Sequence, residues 1–191
     1  MIDRFAKDVL HHELRWAREA MVWKLDGLSE YDVRRPLTAT GTNLLGLVKH
    51  LATWEAWYFG EIFGRPFPGP VLPWQDSDGS DLWVSADESR EQVVDSYRRA
   101  WQHADATIGE LPLDAPGHVP WWRRPDVTLF GVMVHVLNDT TRHAGHADIL
   151  REQLDGRTGV SAGRQEPIDP AAREAHCRRI EEAARAASRT R

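Results

Sequence analysis

Four long segments of the chain repeat their apolar residues with the period of an α-helix, and this repetition limits the fold more than any other feature. The segments run from about 3 to 28, 42 to 63, 85 to 112 and 128 to 154. Apolar residues that recur three and four positions apart form one face of a helix, and that face must be buried against another element. Because no segment shows the alternation of a β-strand, the sequence predicts an all-α fold.

Four such helices joined by long connections predict a four-helix bundle. A polar, alanine-rich segment after Pro170 predicts an additional short C-terminal helix, which has little apolar surface and should lie on the outside. A chain of 191 residues suits one domain better than two. We therefore expect a bundle domain over residues 1–156, followed by a linker and a surface helix or tail over residues 157–191.

Local signals give the expected helix starts and faces. Asp3 is a candidate N-cap for the first helix, whose apolar face would include Phe5, Val9 and Leu14. The third helix is expected to begin at Ser85, because the run from Ser85 to Glu88 has the spacing of a capping box.

Charge and cysteine content limit the partners and the compartment. The net charge of −5 argues against a nucleic-acid partner, since phosphate binding needs a basic surface. No apolar run approaches the roughly 20 residues of a membrane span, and the charged N-terminal segment is unlike a signal peptide. Cys177 is the only cysteine, which excludes an intramolecular disulfide and is typical of a reducing compartment. We therefore expect a cytoplasmic protein.

Polar side chains interrupt the apolar face of the fourth helix. Its stripe, at three-and-four spacing, consists of Val132, Val136, Asp139, His143, His146, Leu150 and Leu154. The valines and leucines indicate that the stripe faces the core, where three polar groups without partners would cost several kcal/mol. A buried hydrogen-bond network and a bound metal ion are the two arrangements that would satisfy them.

A metal site would need a further ligand from a neighbouring helix. His50 is the candidate, because it interrupts an apolar run of the second helix. Asp139 and His143 are four residues apart and project side by side, as the paired ligands of metalloprotease helices do. Two histidines and one carboxylate leave coordination positions open, which is typical of a reactive metal site.

Two further histidines of the fourth helix lie close to this set. His146 is either a fourth ligand or a partner that orients His143. His135 is a rival ligand, four residues before Asp139 but at the edge of the stripe.

Two segments resemble the signature helices of the DinB superfamily, namely GTNLLGLVKHLATWEAWYFG and VMVHVLNDTTRHAGHADILREQLDG. They are most similar to the branch often labelled mini-circle protein. The resemblance covers about residues 3–156 and implies a four-helix bundle with a three-residue metal site at His50, Asp139 and His143. Many members have histidine where this chain has Asp139, which here resembles the branch that includes mycothiol-dependent maleylpyruvate isomerases.

The resemblance also implies thiol chemistry. Characterised members use a low-molecular-weight thiol, such as mycothiol, bacillithiol or glutathione, as cosubstrate for S-transfer or isomerisation. One divalent metal ion is expected, zinc first, with iron or nickel as alternatives. A cation stabilises the thiolate of a thiol whose ordinary pKa is about 8.5. The expected function is a metal-dependent thiol S-transferase that acts on an electrophilic small molecule, as in detoxification.

Nine tryptophans are many for this length. Those outside the helices either fold back over the core or wall a pocket. In the S-transferase interpretation, the candidates for the wall of the substrate pocket are Trp54, Trp57, Trp74, Trp121 and Trp122. An anionic group of the thiol or of the acceptor would be bound by Arg123, Arg124 or Arg142.

Two other functions remain open. The first is a bundle that binds a metal ion or a small molecule without catalysis, because a fold does not determine function. A fourth ligand at His146 would favour it. The second is a thiol-dependent isomerase of the maleylpyruvate type, whose known examples carry a further C-terminal domain. A homodimer formed through faces of the bundle is compatible with each function.

Overall fold

The structure is a computed structural model that describes residues 2–70, 79–161 and 169–189. These residues contain six α-helices and one small antiparallel sheet, which confirms the predicted all-α bundle. The helices are α1 (Ile2–Trp23), α2 (Glu30–Arg34), α3 (Leu44–Phe59), α4 (Arg90–Glu110), α5 (Leu129–Asp155) and α6 (Pro170–Ser188). The other elements are the 3-10 helices Glu61–Phe63 and Ser80–Leu82 and the strands β1 (Pro116–His118) and β2 (Asp126–Thr128). Among the helices of the described ranges, none combines the length and the apolar character that a membrane crossing requires.

The long helices α1, α3, α4 and α5 form the bundle. α3 packs along α4 and also contacts α5, while α1 packs mainly against α5. Their buried faces form two apolar clusters, which include Met21, Val48, Tyr97 and Leu150 in one and Leu14, Phe59, Ile108 and Met133 in the other. Each cluster takes side chains from all four helices, and each fully buried aliphatic side chain contributes about 1.5–3 kcal/mol. The clusters therefore hold the four helices together as one unit.

The predicted face of α1 is partly wrong, because Phe5 is 70% exposed and Val9 is 42% exposed. The face of α1 that the bundle covers passes through Leu14, Arg18 and Met21. At about 100° per residue, Phe5 and Val9 lie on the opposite side of the helix from Leu14. The sequence pattern misassigned the face because the charged Arg18 occupies a core position.

The third helix of the sequence prediction is α4, and its predicted start at Ser85 is also wrong. Residues 85–88 form a turn, in which the Ser85 N–H donates to the Glu88 carboxylate at 3.0 Å, and the helix begins at Arg90. Ser89 is the N-cap, and it forms a reciprocal capping box with Gln92. Two consecutive sets of capping residues, four positions apart, explain the displaced start, and the second set is the one that the helix uses.

A short hairpin contradicts the expectation that the chain has no strand. β1 and β2 pair antiparallel over three residues, with Gly117 opposite Val127. Strands of three residues are too short to produce an alternating sequence pattern. A Cβ atom at Gly117 would lie 2.9 Å from the Phe63 ring and 3.0 Å from Ile62, so this glycine allows the hairpin to pack closely on the segment after α3. The hairpin loop carries the adjacent Trp121 and Trp122 to that side of the bundle.

The additional C-terminal helix is confirmed as α6, although it is not short, since its 19 residues exceed the 16 of α3. Asp169 caps its first turn and Pro170 occupies its first position. No residue of α6 is buried, as its polar composition predicts. The sequence did not predict the short α2, which Ser29 caps and which buries Val33.

A buried ion network joins three helices of the bundle. The fully buried Arg18 guanidinium on α1 contacts Glu55 of α3 at 2.5 Å and Asp105 of α4 at 2.7 Å. His11 Nε2 lies 2.8 Å from the same Asp105 oxygen. Burial alone would lower the pKa of Arg18, but Glu55 and Asp105 raise it, so the guanidinium stays charged. Burial also raises the pKa of Glu55 to about 7, although Arg18 opposes this shift.

The network predicts a pH-dependent stability that Glu55→Gln removes. The pKa of Glu55 rises from 4.5 to about 7 on folding, so the folded protein binds more protons between these values. The contribution of this group to stability is full at acidic pH and is lost as the pH rises through the folded pKa. Relative to the variant, wild type should lose up to roughly 3 kcal/mol of unfolding free energy between about pH 4 and pH 8.

Urea unfolding at a series of pH values measures this difference. Glu181→Gln is the matched control, because Glu181 forms an exposed ion pair with Arg185 on α6. Its curve should run parallel to that of wild type. A Glu55→Gln curve that is also parallel to wild type would contradict the raised pKa.

Candidate metal centre

Three ionisable side chains from two helices converge at one point. His50 lies on α3, and Asp139 and His143 lie one turn apart on α5. One ligand atom from each of the three lies within 4.8 Å of the others. Asp139 Oδ2 is 3.8 Å from His50 Nε2, and Asp139 Oδ1 is 3.5 Å from His143 Nε2. The two imidazole rings meet edge to face with centroids 4.8 Å apart.

These separations suit a shared ion better than direct contact. They exceed the 2.7–3.2 Å that is typical of an N–H···O hydrogen bond. Two ligand atoms that are each about 2.1 Å from a tetrahedral ion are roughly 3.4 Å apart. The separations of 3.5 and 3.8 Å are close to that value. Two imidazole nitrogens and a carboxylate oxygen are also a donor set that zinc, iron and nickel accept.

The electrostatics of the cluster favour the protonation states of metal ligands. Burial lowers the pKa of His50, and the neighbouring His143 lowers it further, so the imidazole is held neutral although Asp81 and Asp139 oppose the shift. Burial alone would raise the pKa of Asp139, but the histidines around it, chiefly His143, lower it. A neutral imidazole and an ionised carboxylate are the forms that bind metal ions.

The cluster lies at the edge of the core and not in its centre, where the sequence analysis placed it. The exposed fractions of the side chains are 17% for His50, 34% for Asp139 and 16% for His143. The buried face of α5 passes through Thr140. Asp139, one residue earlier, lies about 100° around the helix from Thr140. The polar side chains therefore occupy the boundary of the buried face, where they are partly exposed.

Asp81 is a contact of the cluster that the sequence analysis missed. Its Oδ2 lies 2.7 Å from His50 Nδ1, and the same oxygen accepts a hydrogen bond from Trp54 Nε1 at 2.9 Å. Asp81 lies on the 3-10 helix Ser80–Leu82, 31 residues after His50. Helical spacing relates residues within one helix, so it could not relate His50 to a residue 31 positions later in the chain.

The other two histidines of α5 lie outside the cluster. His146 is exposed, which corrects the expectation that it faces the core, and its ring centroid is 5.6 Å from that of His143. His146 lies about 120° around the helix from Thr140, beyond the boundary of the buried face. His135 is half-buried between aromatic rings, with centroids 4.8 Å from Tyr58 and 4.6 Å from Trp122.

Aromatic side chains from α3 and from the hairpin loop form a wall beside the cluster. The wall consists of Trp54, Trp57, Tyr58, Trp121 and Trp122. Trp54 and Trp121 have centroids 5.6 Å apart, and Trp57 and Trp121 have centroids 6.4 Å apart. The Tyr58 hydroxyl accepts hydrogen bonds from the indole N–H groups of Trp121 at 3.4 Å and Trp122 at 3.3 Å. Burial raises the pKa of Tyr58 although these two donors lower it, so the hydroxyl stays protonated.

The structure brings together four of the five tryptophans that were predicted to line a pocket. Trp74 lies outside the described residues. Arg123 and Arg142 are exposed, and so is Arg124.

A family model described as mycothiol-S-transferase matches residues 9–156. The chain belongs to the mycothiol S-transferase family. This family is part of the DinB-like superfamily, so the predicted superfamily is confirmed. The match includes α3, α4, α5 and most of α1, and therefore all three residues of the cluster, while α6 lies beyond it. Comparison with curated proteins gives no match.

In this member of the mycothiol S-transferase family, the hydrogen bonds that the Tyr58 hydroxyl accepts predict that Tyr58→Phe lowers stability. The variant keeps the ring but removes the acceptor of two indole N–H groups, which should cost roughly 1–2 kcal/mol of unfolding free energy. Urea unfolding measures the loss. Tyr31→Phe, at a tyrosine that is exposed on α2, is the control and should leave stability unchanged. Equal stabilities of the two variants would show that the hydroxyl does not hold the wall together.

Proposed function

We propose that His50, Asp139 and His143 hold one divalent metal ion, zinc first, with iron and nickel as alternatives. The observation that carries this proposal is the separation of 3.5 to 3.8 Å between the facing ligand atoms. Side chains this far apart do not satisfy one another by short hydrogen bonds, and the short contact of His50 to Asp81 uses the other ring nitrogen, Nδ1. A hydrogen-bond network among the three is therefore the weaker interpretation. The protonation states favoured by the surroundings of His50 and Asp139 support the same choice.

The function that follows is a metal-dependent S-transferase with mycothiol as cosubstrate. Family membership supports this function, since the family is described by that activity. Three protein ligands leave positions open for a thiol. A divalent ion in such a site lowers the pKa of the thiol, ordinarily about 8.5, so that the nucleophilic thiolate is available near neutral pH. Because His146 is exposed and outside the cluster, a saturated four-ligand site has no support from this geometry.

The residues of the chain have separate tasks in this proposal. The imidazoles of His50 and His143 and the Asp139 carboxylate fix the position where the thiol sulfur is held. The aromatic wall excludes water from one side and offers indole faces to the acceptor molecule. The thiol releases its proton to solvent, the sulfur forms a bond to the electrophilic carbon, and the leaving group departs with the electron pair of the bond that breaks. Exposed arginines near the hairpin loop and on α5, Arg123 and Arg142, are the candidates for binding an anionic group.

The proposed division of the chain places all of these groups in one unit. The bundle domain spans residues 1–156 and contains the cluster and the wall. Residues 157–191 form the linker and the surface helix. The end of the family match at residue 156 supports this boundary.

The first test is the metal content of the purified protein. We expect about one ion per chain in wild type, as a site with three protein ligands predicts, and little in His50→Ala or His143→Ala. His12→Ala changes an exposed histidine of α1 and should retain the metal. Plasma mass spectrometry gives the content, and circular dichroism shows that the variants are folded. Wild type that stays free of metal after loading with zinc, iron and nickel would refute the site.

The second test is thiol conjugation by metal-loaded protein. Mycothiol and monobromobimane are the probes, because a sulfur–carbon bond forms, bromide leaves and fluorescence rises. We expect wild type to accelerate the reaction, and His143→Ala to lower the rate by at least 100-fold, since the thiol loses its activating site. His12→Ala should retain the wild-type rate. Zinc-loaded wild type that conjugates neither mycothiol, bacillithiol nor glutathione would support a binding protein without catalysis.

A further inference from the structure

A loop after the 3-10 helix Glu61–Phe63 docks against the start of α3. This segment, residues 79–84, is called the Asp81 loop below. Asn43 joins it to the helix, because its Oδ1 caps α3 by accepting the Gly46 N–H at 2.7 Å while its Nδ2 donates to the Leu82 carbonyl at 3.1 Å. Lys49 Nζ also donates to the Trp83 carbonyl at 3.2 Å. The loop is therefore held by the first two turns of α3.

Gly46 makes this docking possible. A Cβ atom at this position would overlap the Leu82 carbonyl oxygen and would lie 2.6 Å from the carbonyl carbon. Backbone atoms cannot be displaced as cheaply as the end of a flexible side chain. Any other residue at position 46 would therefore push the Asp81 loop away from α3.

The loop delivers one carboxylate to the side of His50 that faces away from the cluster. Asp81 is only 14% exposed, and its Oδ2 serves both His50 Nδ1 and Trp54 Nε1. An ionised carboxylate can only accept hydrogen bonds and an indole nitrogen can only donate, so His50 Nδ1 carries the proton in this contact. His50 Nε2, on the side of Asp139, then has the free lone pair.

We propose that Asp81 is a positioning residue, which selects the Nδ1–H form of His50 and holds this ligand in register with Trp54 of the aromatic wall. The inference rests on the proposed metal site. Carboxylate partners of this kind orient a ligating histidine and raise its basicity. Because Asp81 binds both side chains through one oxygen, it links the metal ligand to the surface that would receive the acceptor. Gly46 controls this link from a distance through the docking of the loop.

The tautomer of His50 tests the inference without metal. In long-range proton–nitrogen correlation spectra of the metal-free protein, at a pH where the ring is neutral, wild type should show Nδ1 protonated. Asp81→Asn keeps an acceptor oxygen and should retain much of this preference. Asp81→Ala should give a mixture of tautomers. An unchanged tautomer in Asp81→Ala would overturn the inference.

Zinc affinity, measured by competition with a chromogenic chelator, tests the consequence. Asp81→Ala should weaken binding by about 10- to 100-fold, and Asp81→Asn by less. The matched control is Asp126→Ala, which removes another aspartate–histidine contact, to His118 at 3.0 Å, on the exposed hairpin. Its zinc affinity should equal that of wild type. An Asp81→Ala variant that binds zinc as tightly as wild type would overturn the positioning role.

Gly46→Ala tests the docking separately, since it leaves every side chain of the cluster in place. Alanine favours a helix over glycine, so a loss of zinc affinity would come from the displaced loop and from Asn43, which joins the loop to the helix and whose Oδ1 would lie 2.8 Å from the added Cβ atom. Gly131→Ala is the control, because Gly131 also donates its N–H to a helix cap, Thr128, but has room for a Cβ atom. We expect weaker zinc binding in the first variant only, and equal affinities would count against the docking.

These outcomes separate the two proposals. Wild type that binds none of zinc, iron and nickel refutes the metal site, whereas the tautomer comparison between wild type and Asp81→Ala still decides whether Asp81 orients His50. Wild type that binds zinc with an affinity that Asp81→Ala does not change refutes the inference alone.

Discussion

Each charged group that the bundle removes from water requires a partner inside it, and this requirement fixes how the helices meet. Arg18 binds Glu55, which ties α1 to α3. Arg151 of α5 binds Asp155 and also donates to the Lys24 carbonyl at 2.9 Å, which ties α5 to the end of α1. Apolar attraction is non-directional, whereas these directional contacts favour one register of the helices. The proposed ligands differ from these pairs, since their facing atoms stay too far apart to satisfy one another.

Different elements of the fold hold the residues of the candidate site in place. Asp139 and His143 share one turn of α5, so their relative position follows from helix geometry alone. The position of His50 relative to this pair depends on the packing of α3 against α5. The aromatic wall depends on the hairpin, which brings Trp121 and Trp122 to the hydroxyl of Tyr58. The arrangement therefore combines a rigid pair of ligands with neighbours that loops hold in place.

The sequence predicted what repeats along a helix and missed what depends on the path of a loop. Asp139 and His143 could be found because polar residues at helical spacing stand out in an apolar stripe, and His50 because it interrupts an apolar run. Asp81 could not be found, since its approach depends on the close contact at Gly46. Periodicity also assigned Phe5 wrongly to the buried face of α1. A pattern of apolar residues leaves out a charged side chain such as Arg18, which is buried in the core with its ion partners.

The location of the cluster at the boundary of the core has a consequence for how such a protein can change during evolution. The residues that would contact an acceptor belong to a hairpin loop and to one side of α3, where Tyr58 is part of one apolar cluster and Trp54, Trp121 and Trp122 pack against it. Exchanging one of these side chains therefore alters the receiving surface and the packing of that cluster together. Under the proposed function, substitutions that change acceptor preference therefore also change the stability on which the fold depends.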